Sequence, residues 1–388
     1  MEKFVTKYMY QNKWTKLSED LFYKDKEEKD APRVKEIENG ILLPQRDGEL
    51  PWGIGGCLDS AGNFIDDLAI KKAFGGKYSY DIDSAERLDE TVIYIPIIPK
   101  HWGHFLIDAI CRLWIFLDEN YKDKNYKIYY NSWNFENNKL TGNYRKFFEH
   151  FGIYKNMYPV DKVIQARKVL IPSATMSFSE SYNKEYKNIF KYLTEKILDS
   201  EDVSTLEKKD RIYFTRSNLP TSRMKEIGEI DIEKILKDNG FCILSPEKLS
   251  LEEQVFYFHN ADIVASMSGT IMHNIGFAGE NTKLWIMNRT CMPNEPQLSM
   301  NRLFDNEVIM VDTYVEETLK HPRDYGTGPF WLEPNINFKH LCEDYGLKYV
   351  FQNENRNSYR MKYYVSLLYF SLKYNKFTIW LYYKLKKL

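Results

Sequence analysis

From residue 211 onward the sequence alternates short apolar runs with amphipathic stretches of about ten residues, and this alternation constrains the fold more than any other feature. It predicts strand 211–215, helix 231–239, strand 241–244, helix 251–259, strand 262–266, helix 270–278 and strands 283–287 and 308–312. Such alternation builds βαβ units around a parallel sheet covered on both faces. Ser250-Leu-Glu-Glu253 reads as a capping box that starts helix 251–259. A looser series precedes it: strand 91–98, a helix from His104, strand 126–130, helix 143–150, strand 168–171 and helix 184–198. The two prolines of 91–98 suggest a strand near a sheet edge. A polar stretch, 199–209, separates the two series, and 388 residues exceed what one core usually serves. The expectation is an α/β protein of two Rossmann-like domains, 1–204 and 205–330. A helical segment, 331–388, then returns to the N-terminal domain or contacts a membrane.

A net charge of −1 lacks the positive excess of a nucleic-acid binder. The charge is uneven, with eight basic residues and no acidic one between Asn355 and Leu388. In that region Met361, Tyr364, Val365, Leu368 and Leu372, then Phe377, Trp380, Leu381 and Leu385, recur at helical spacing with lysines between them. This suits either an anionic membrane surface bound through 360–388 or a packed helix with a solvated basic side. Five scattered cysteines, none in a C-x-x-C pair, fit neither a disulfide scaffold nor a zinc site. Neither a secretory pattern nor a membrane-spanning apolar run is present, so a cytoplasmic protein is expected.

Three segments carry candidate chemistry. In His101-Trp-Gly-His104-Phe-Leu-Ile-Asp108-Ala-Ile-Cys-Arg112, positions 104, 108 and 112 fall on one face of an α-helix while Leu106, Ile110, Leu113 and Leu117 form an apolar stripe. That polar edge suits the wall of a site, or else an internal Asp108–Arg112 pair. Asp262 to Asn274 runs from a strand through the small residues Ser268, Gly269 and Thr270 into a helix, where amides and dipole favour an anion. His273 and Asn274 follow on its first turns. Arg216 ends strand 211–215 and Arg223 follows in the next loop, where a phosphate clamp belongs in an open α/β sheet. Asp81-Ile-Asp83 spells the D-x-D of metal-dependent sugar transferases, and equally a solvated turn.

These stretches together resemble bacterial members of glycosyltransferase family 61, of the capsular polysaccharide biosynthesis type. His101 to Leu113 is similar to the family's aromatic-His-aromatic-Leu-x-Asp segment ending in Arg-Leu. Tyr213, Thr215, Arg216 and Arg223 match its Tyr-x-Ser/Thr-Arg strand and following arginine. Leu249 to Gln254 matches a Ser-x-x-Glu-Gln helix start, and Ser268 to Asn274 a Gly-Ser-Ala-Leu-His-Asn variant. Met267-Ser-Gly-Thr270 replaces the His-Gly-Ala-Gly turn of many relatives, so any role of that histidine is absent or falls to His273. The resemblance implies a GT-B fold of two domains facing a cleft, an inverting mechanism and a nucleotide-sugar donor, UDP-linked, held by the C-terminal domain. Under it His104 or Asp108 is the candidate base. Arg216, Arg223, Ser268, Gly269, Thr270, His273 and Asn274 are expected to bind the donor, and His101, Trp102 and Arg112 to line the acceptor side. No metal or other cofactor is expected. The expected setting is the inner face of the plasma membrane, with a glycan or lipid-linked glycan as acceptor. The other readings are a metal-dependent GT-A transferase using Asp81 and Asp83, a sugar-nucleotide dehydrogenase or epimerase, disfavoured by the missing glycine fingerprint, and a non-enzymatic assembly protein.

Overall fold

The computed structural model describes residues 3–373 except 25, 67–72, 123, 178–180, 221, 321–322, 324–325 and 327, and leaves aside the side chains of Arg223 and Lys320. The chain divides into two compact units. The N-terminal unit comprises Asp25–Thr205 with Ser250–Val255; the C-terminal unit comprises Met1–Lys24, Leu206–Leu249 and Phe256–Leu388. The first elements, β1 (Phe4–Tyr8) and α1 (Lys13–Tyr23), therefore belong to the C-terminal unit. The sequence expectation of a domain 1–204 differs here. The reason is that β1 pairs in parallel with a strand far along the chain, Phe4 opposite Val308.

The N-terminal unit holds β2 (Val34–Glu38), β3 (Ile41–Arg46), β4 (Ile54–Leu58), β5 (Glu86–Pro99), β6 (Lys127–Trp133), β7 (Met157–Pro159) and β8 (Ile164–Pro172). Their order is β4-β3-β8-β5-β6-β7, with β2 also on β8. The strands β8, β5, β6 and β7 run parallel, whereas β2, β3 and β4 add antiparallel pairs. Val92–Pro99 are buried without interruption, as in a strand covered on both faces. So β5 is central, not at an edge as its prolines suggested. Its register against β6 shifts between Ile95 and Ile98, which accommodates Pro96 where a ladder bond is missing. Two helices, α2 (Gly142–His150) and α3 (Glu185–Leu198), complete the α/β pattern; α3 buries Tyr186, Ile189, Phe190, Leu193 and Ile197, one stripe at helical spacing.

The C-terminal unit continues through β9 (Arg211–Phe214), β10 (Glu226–Ile227), α4 (Glu229–Asp238), β11 (Cys242–Leu244), the second half of α5 (Leu251–Asn260, whose first five residues count with the N-terminal unit), β12 (Ile263–Met267), β13 (Lys283–Asn288), α6 (Glu295–Phe304) and β14 (Val308–Asp312). It ends in β15 (Phe330–Trp331), α7 (Ile336–Asp344) and α8 (Arg356–Lys373). Its six-stranded sheet, β1-β14-β13-β12-β9-β11, is parallel throughout. The capping box of α5 is reciprocal: Ser250 N donates to Glu253 Oε2 at 2.8 Å, and Glu253 N to Ser250 Oγ at 3.1 Å. Segment Thr270–Phe277 is a 3₁₀-helix rather than the expected α-helix. α8 packs Tyr359, Tyr363 and Leu367 against Ile227, Val315 and Trp331 of its own unit; 374–388 lie outside the described residues. Among the described residues no helix is long and apolar enough to cross a membrane.

In the C-terminal sheet successive crossovers depart in opposite directions between β9 and β12, and ligands of open α/β sheets bind beyond the strand ends at such a point. The segment from His101 follows β5. Arg216 and Gly269 follow β9 and β12.

Candidate active site

Beyond β5 the chain does not form the single α-helix that the spacing predicts. Trp102–His104 make one α-turn, Phe105–Ala109 a π-helical turn and Ile110–Phe116 a 3₁₀-helix. The chain after β8 takes up two of the segment's carbonyls: Tyr186 Oη donates to Leu106 O, and Thr175 Oγ1 to Cys111 O at 2.6 Å. In return Trp114 Nε1 donates to Ser173 O at 2.8 Å. Because a 3₁₀ turn takes three residues, Arg112 swings roughly a third of a turn away from Asp108. It is buried and donates through a guanidinium nitrogen to Pro172 O. The expected polar edge of three residues is thus a pair, with Arg112 turned to the interior.

That pair is close. His104 Nδ1 and Asp108 Oδ2 lie 2.8 Å apart, with the His104 side chain 36% exposed and that of Asp108 8%. His101 caps the first turn through its ring, which accepts from His104 N at 3.4 Å. Around the pair stand aromatic rings: Trp52 meets His104 edge-on at 4.9 Å, Trp133 lies 5.8 Å from Trp52, and Trp102 rests against Phe105 and Tyr144. Trp52 comes from the turn between β3 and β4, and Trp133 ends β6. Only the sheet order, not their spacing in sequence, brings them here.

In the C-terminal unit Arg216 is joined by residues that sequence reasoning missed. Glu226 Oε1 accepts from Arg216 Nε at 3.0 Å and from Arg289 at 2.7 Å, its side chain fully buried. The two guanidiniums converge on Gly269: a Cβ there would lie 3.3 Å from one Arg216 nitrogen and 3.5 Å from one of Arg289. Glu229 Oε1 holds the Arg216 backbone N–H at 2.8 Å and the Tyr213 hydroxyl at 2.9 Å. Between the two carboxylates Gly228 has φ 97°, and a Cβ would lie 2.0 Å from Leu332 O, so only glycine passes. Burial pushes Glu229 up to about 7, and lowers Lys225, which is further depressed by Arg289 and Arg216. Arg323 lines the same recess as Arg289, whose guanidinium lies 4.5 Å over the Phe330 ring. Two guanidiniums thus share the buried Glu226 carboxylate beside Gly269, and such a cluster of fixed cationic donors is chemically able to receive an anion.

The other predicted donor residues fall into three groups. Ser268 is buried and accepts from Arg289 N at 3.3 Å, and Thr270 opens the 3₁₀-helix beside Gly269. His273 and Asn274 are buried in the interior. The Arg223 side chain lies outside the described residues. Arg289 directly follows β13 and Arg216 lies two residues past β9, so the strand-end rule for parallel sheets marks both.

Asp81 and Asp83 form a turn on themselves, Asp83 N donating to Asp81 Oδ1 at 3.0 Å. A metal-compatible set, His150, Asp202 and Glu252, lies elsewhere in the N-terminal unit, its ligand atoms within 4.8 Å of one another. There Glu252 Oε1 bonds His150 Nε2 at 2.6 Å and lies 3.6 Å from the Lys146 ammonium, so the protein's own groups already engage it.

One α/β unit carries a histidine–carboxylate pair and the other two arginines on one buried carboxylate. Residues 102–285 match the family model Glycosyltransferase 61, so the chain carries a glycosyltransferase family 61 domain and is an enzyme of sugar transfer. The match begins at the turn that bears His104 and ends within β13. No curated protein matches the chain. That domain sets aside a purely non-enzymatic assembly role.

Proposed function

We propose that this glycosyltransferase moves a sugar, with inversion, from a nucleoside diphosphate donor, UDP-linked, to a glycan or lipid-linked glycan in bacterial capsular polysaccharide synthesis. In this reading the two units form a GT-B enzyme in the cytoplasm, peripheral at the inner face of the plasma membrane. The N-terminal unit serves the acceptor and the C-terminal unit the donor.

The observation that carries the reading is the His104–Asp108 pair. Inversion needs a base that takes the acceptor hydroxyl's proton as the oxygen attacks the anomeric carbon. Asp108, the more buried member, fixes the imidazole through Nδ1 and stabilises the imidazolium, so Nε2 is the atom assigned to receive the proton. His101 and Trp102 flank the acceptor, and the nearby tryptophans offer apolar faces to sugar rings. As the glycosidic bond to the diphosphate breaks, negative charge grows on the leaving oxygen. Arg216, Arg289 and the amides at Gly269 and Thr270 stabilise it without a metal.

Single-turnover assays with donor binding measured separately test this. His104→Ala and Asp108→Asn should abolish transfer while donor affinity stays within about twofold, well under the tenfold that 1.4 kcal/mol represents. Normal transfer by both variants would overturn the assignment. A thermal-shift screen of nucleotide sugars identifies the donor, because a ligand of the native state raises apparent stability.

A further inference from the structure

The helix α8 carries two apolar stripes, one packed on the C-terminal unit and the other largely exposed among the described residues. Tyr359, Tyr363 and Leu367 pack on Ile227, Val315 and Trp331. Offset by two residues, hence on the opposite face, Met361, Val365, Leu368 and Leu372 are 70%, 61%, 64% and 53% exposed, with Tyr364 and Tyr369 alongside. So contiguous an exposed apolar patch marks an interaction surface. Its surroundings select the partner: α8 bears Arg356, Arg360, Lys362 and Lys373 and no acidic residue, Arg360 being paired with Glu317 at 2.9 Å, and the sequence from 374 to 388 adds four lysines with Phe377 and Trp380. A second copy docked on this face would oppose like charges. An anionic bilayer supplies both the apolar depth and the countercharge.

We infer that the Met361–Leu372 stripe is a membrane-docking face, lying in the interface of an anionic bilayer while the opposite stripe holds the helix to the C-terminal unit. This deepens the membrane partner proposed above and rests on that reading. It does not depend on the chemistry of transfer.

The test is flotation of the full chain with phosphatidylcholine vesicles, with and without phosphatidylglycerol. Binding should require the anionic lipid. The double variant Val365→Ser/Leu368→Ser should lose roughly tenfold or more in partition, and Lys362→Gln/Lys373→Gln about fivefold per lysine on anionic vesicles alone. No flotation of the parent with anionic vesicles would overturn the inference, as would undiminished binding by the serine variant. So would a dimer in solution that the serine substitutions dissociate, since a second copy would then be the occupant. If circular dichroism shows the serine variant unfolded, the lysine variant decides. Transfer to a water-soluble acceptor by the serine variant should equal the parent's. Failure of parent and variant alike would count against the transfer reading and leave the vesicle result standing.

Discussion

The two units put opposite chemistry at the same kind of place. In each, the residues in question follow parallel strands, β5 in one and β9 and β12 in the other. The N-terminal unit follows β5 with an irregular helix whose carbonyls accept from the Thr175 and Tyr186 hydroxyls, and presents one imidazole with one carboxylate. The C-terminal unit spends two buried carboxylates, Glu226 and Glu229, on fixing arginines. One arrangement suits a proton and the other an anion. The difference shows that a strand order locates a site, while the groups placed behind the first side chains decide what it does.

The largest effect expected from breaking this contrast is at the proton site. His104→Ala should lower kcat by roughly 10²–10⁴-fold, with KM for the donor little changed, as steady-state kinetics will show. Next comes the anion site: Arg289→Ala should weaken donor binding roughly 10- to 100-fold, the worth of a charge-assisted hydrogen bond, by calorimetry. Glu226→Gln keeps the volume but removes the charge that holds both guanidiniums. It should weaken the donor while leaving turnover of bound donor closer to the parent's than any Arg289 change does.

The units should also answer pH differently. Glu229 and Asp312 are raised by burial to about 7 and about 6, above their unfolded values. Their contribution to stability is therefore complete below the unfolded carboxyl range and lost as pH rises through those values. Glu252 is held down to about 2, chiefly by its hydrogen bond to His150. Its contribution is present above its unfolded value and lost as pH falls toward 2. Thermal melts should show Glu229→Gln flattening the pH 5–8 limb and Glu252→Gln flattening the acid limb; the reverse pattern would contradict the contrast. The smallest change should follow Ser250→Ala, about 1 kcal/mol from the lost cap of α5, read by denaturant titration.

What the sequence made legible is what depends on near neighbours. His104 and Asp108 meet because four residues span about one turn in either an α- or a π-helix. Strands β9 and β12 to β14 and the cap at Ser250 follow from local pattern, and Arg216 at a strand end follows from the rule for parallel sheets. The misplacements had distant causes. Pro96 suggested an edge, yet a register shift lets it sit in the central strand. Arg112 kept its place in the motif but not its direction, because the change from π to 3₁₀ winding answers to Tyr186, Thr175 and the chain after β8. Arg289 lay in plain view after β13, but its convergence with Arg216 runs through Glu226, 63 residues away.

By itself, then, the sequence determined the α/β alternation, the family-like segments and the histidine–aspartate pair, since each rests on periodicity or on contacts within a turn. Tertiary structure alone decided that β1 completes the C-terminal sheet, that two arginines share one carboxylate beside Gly269, and that the Met361–Leu372 stripe faces outward. Those outcomes depend on which distant surfaces bury one another, and local pattern carries no record of that choice.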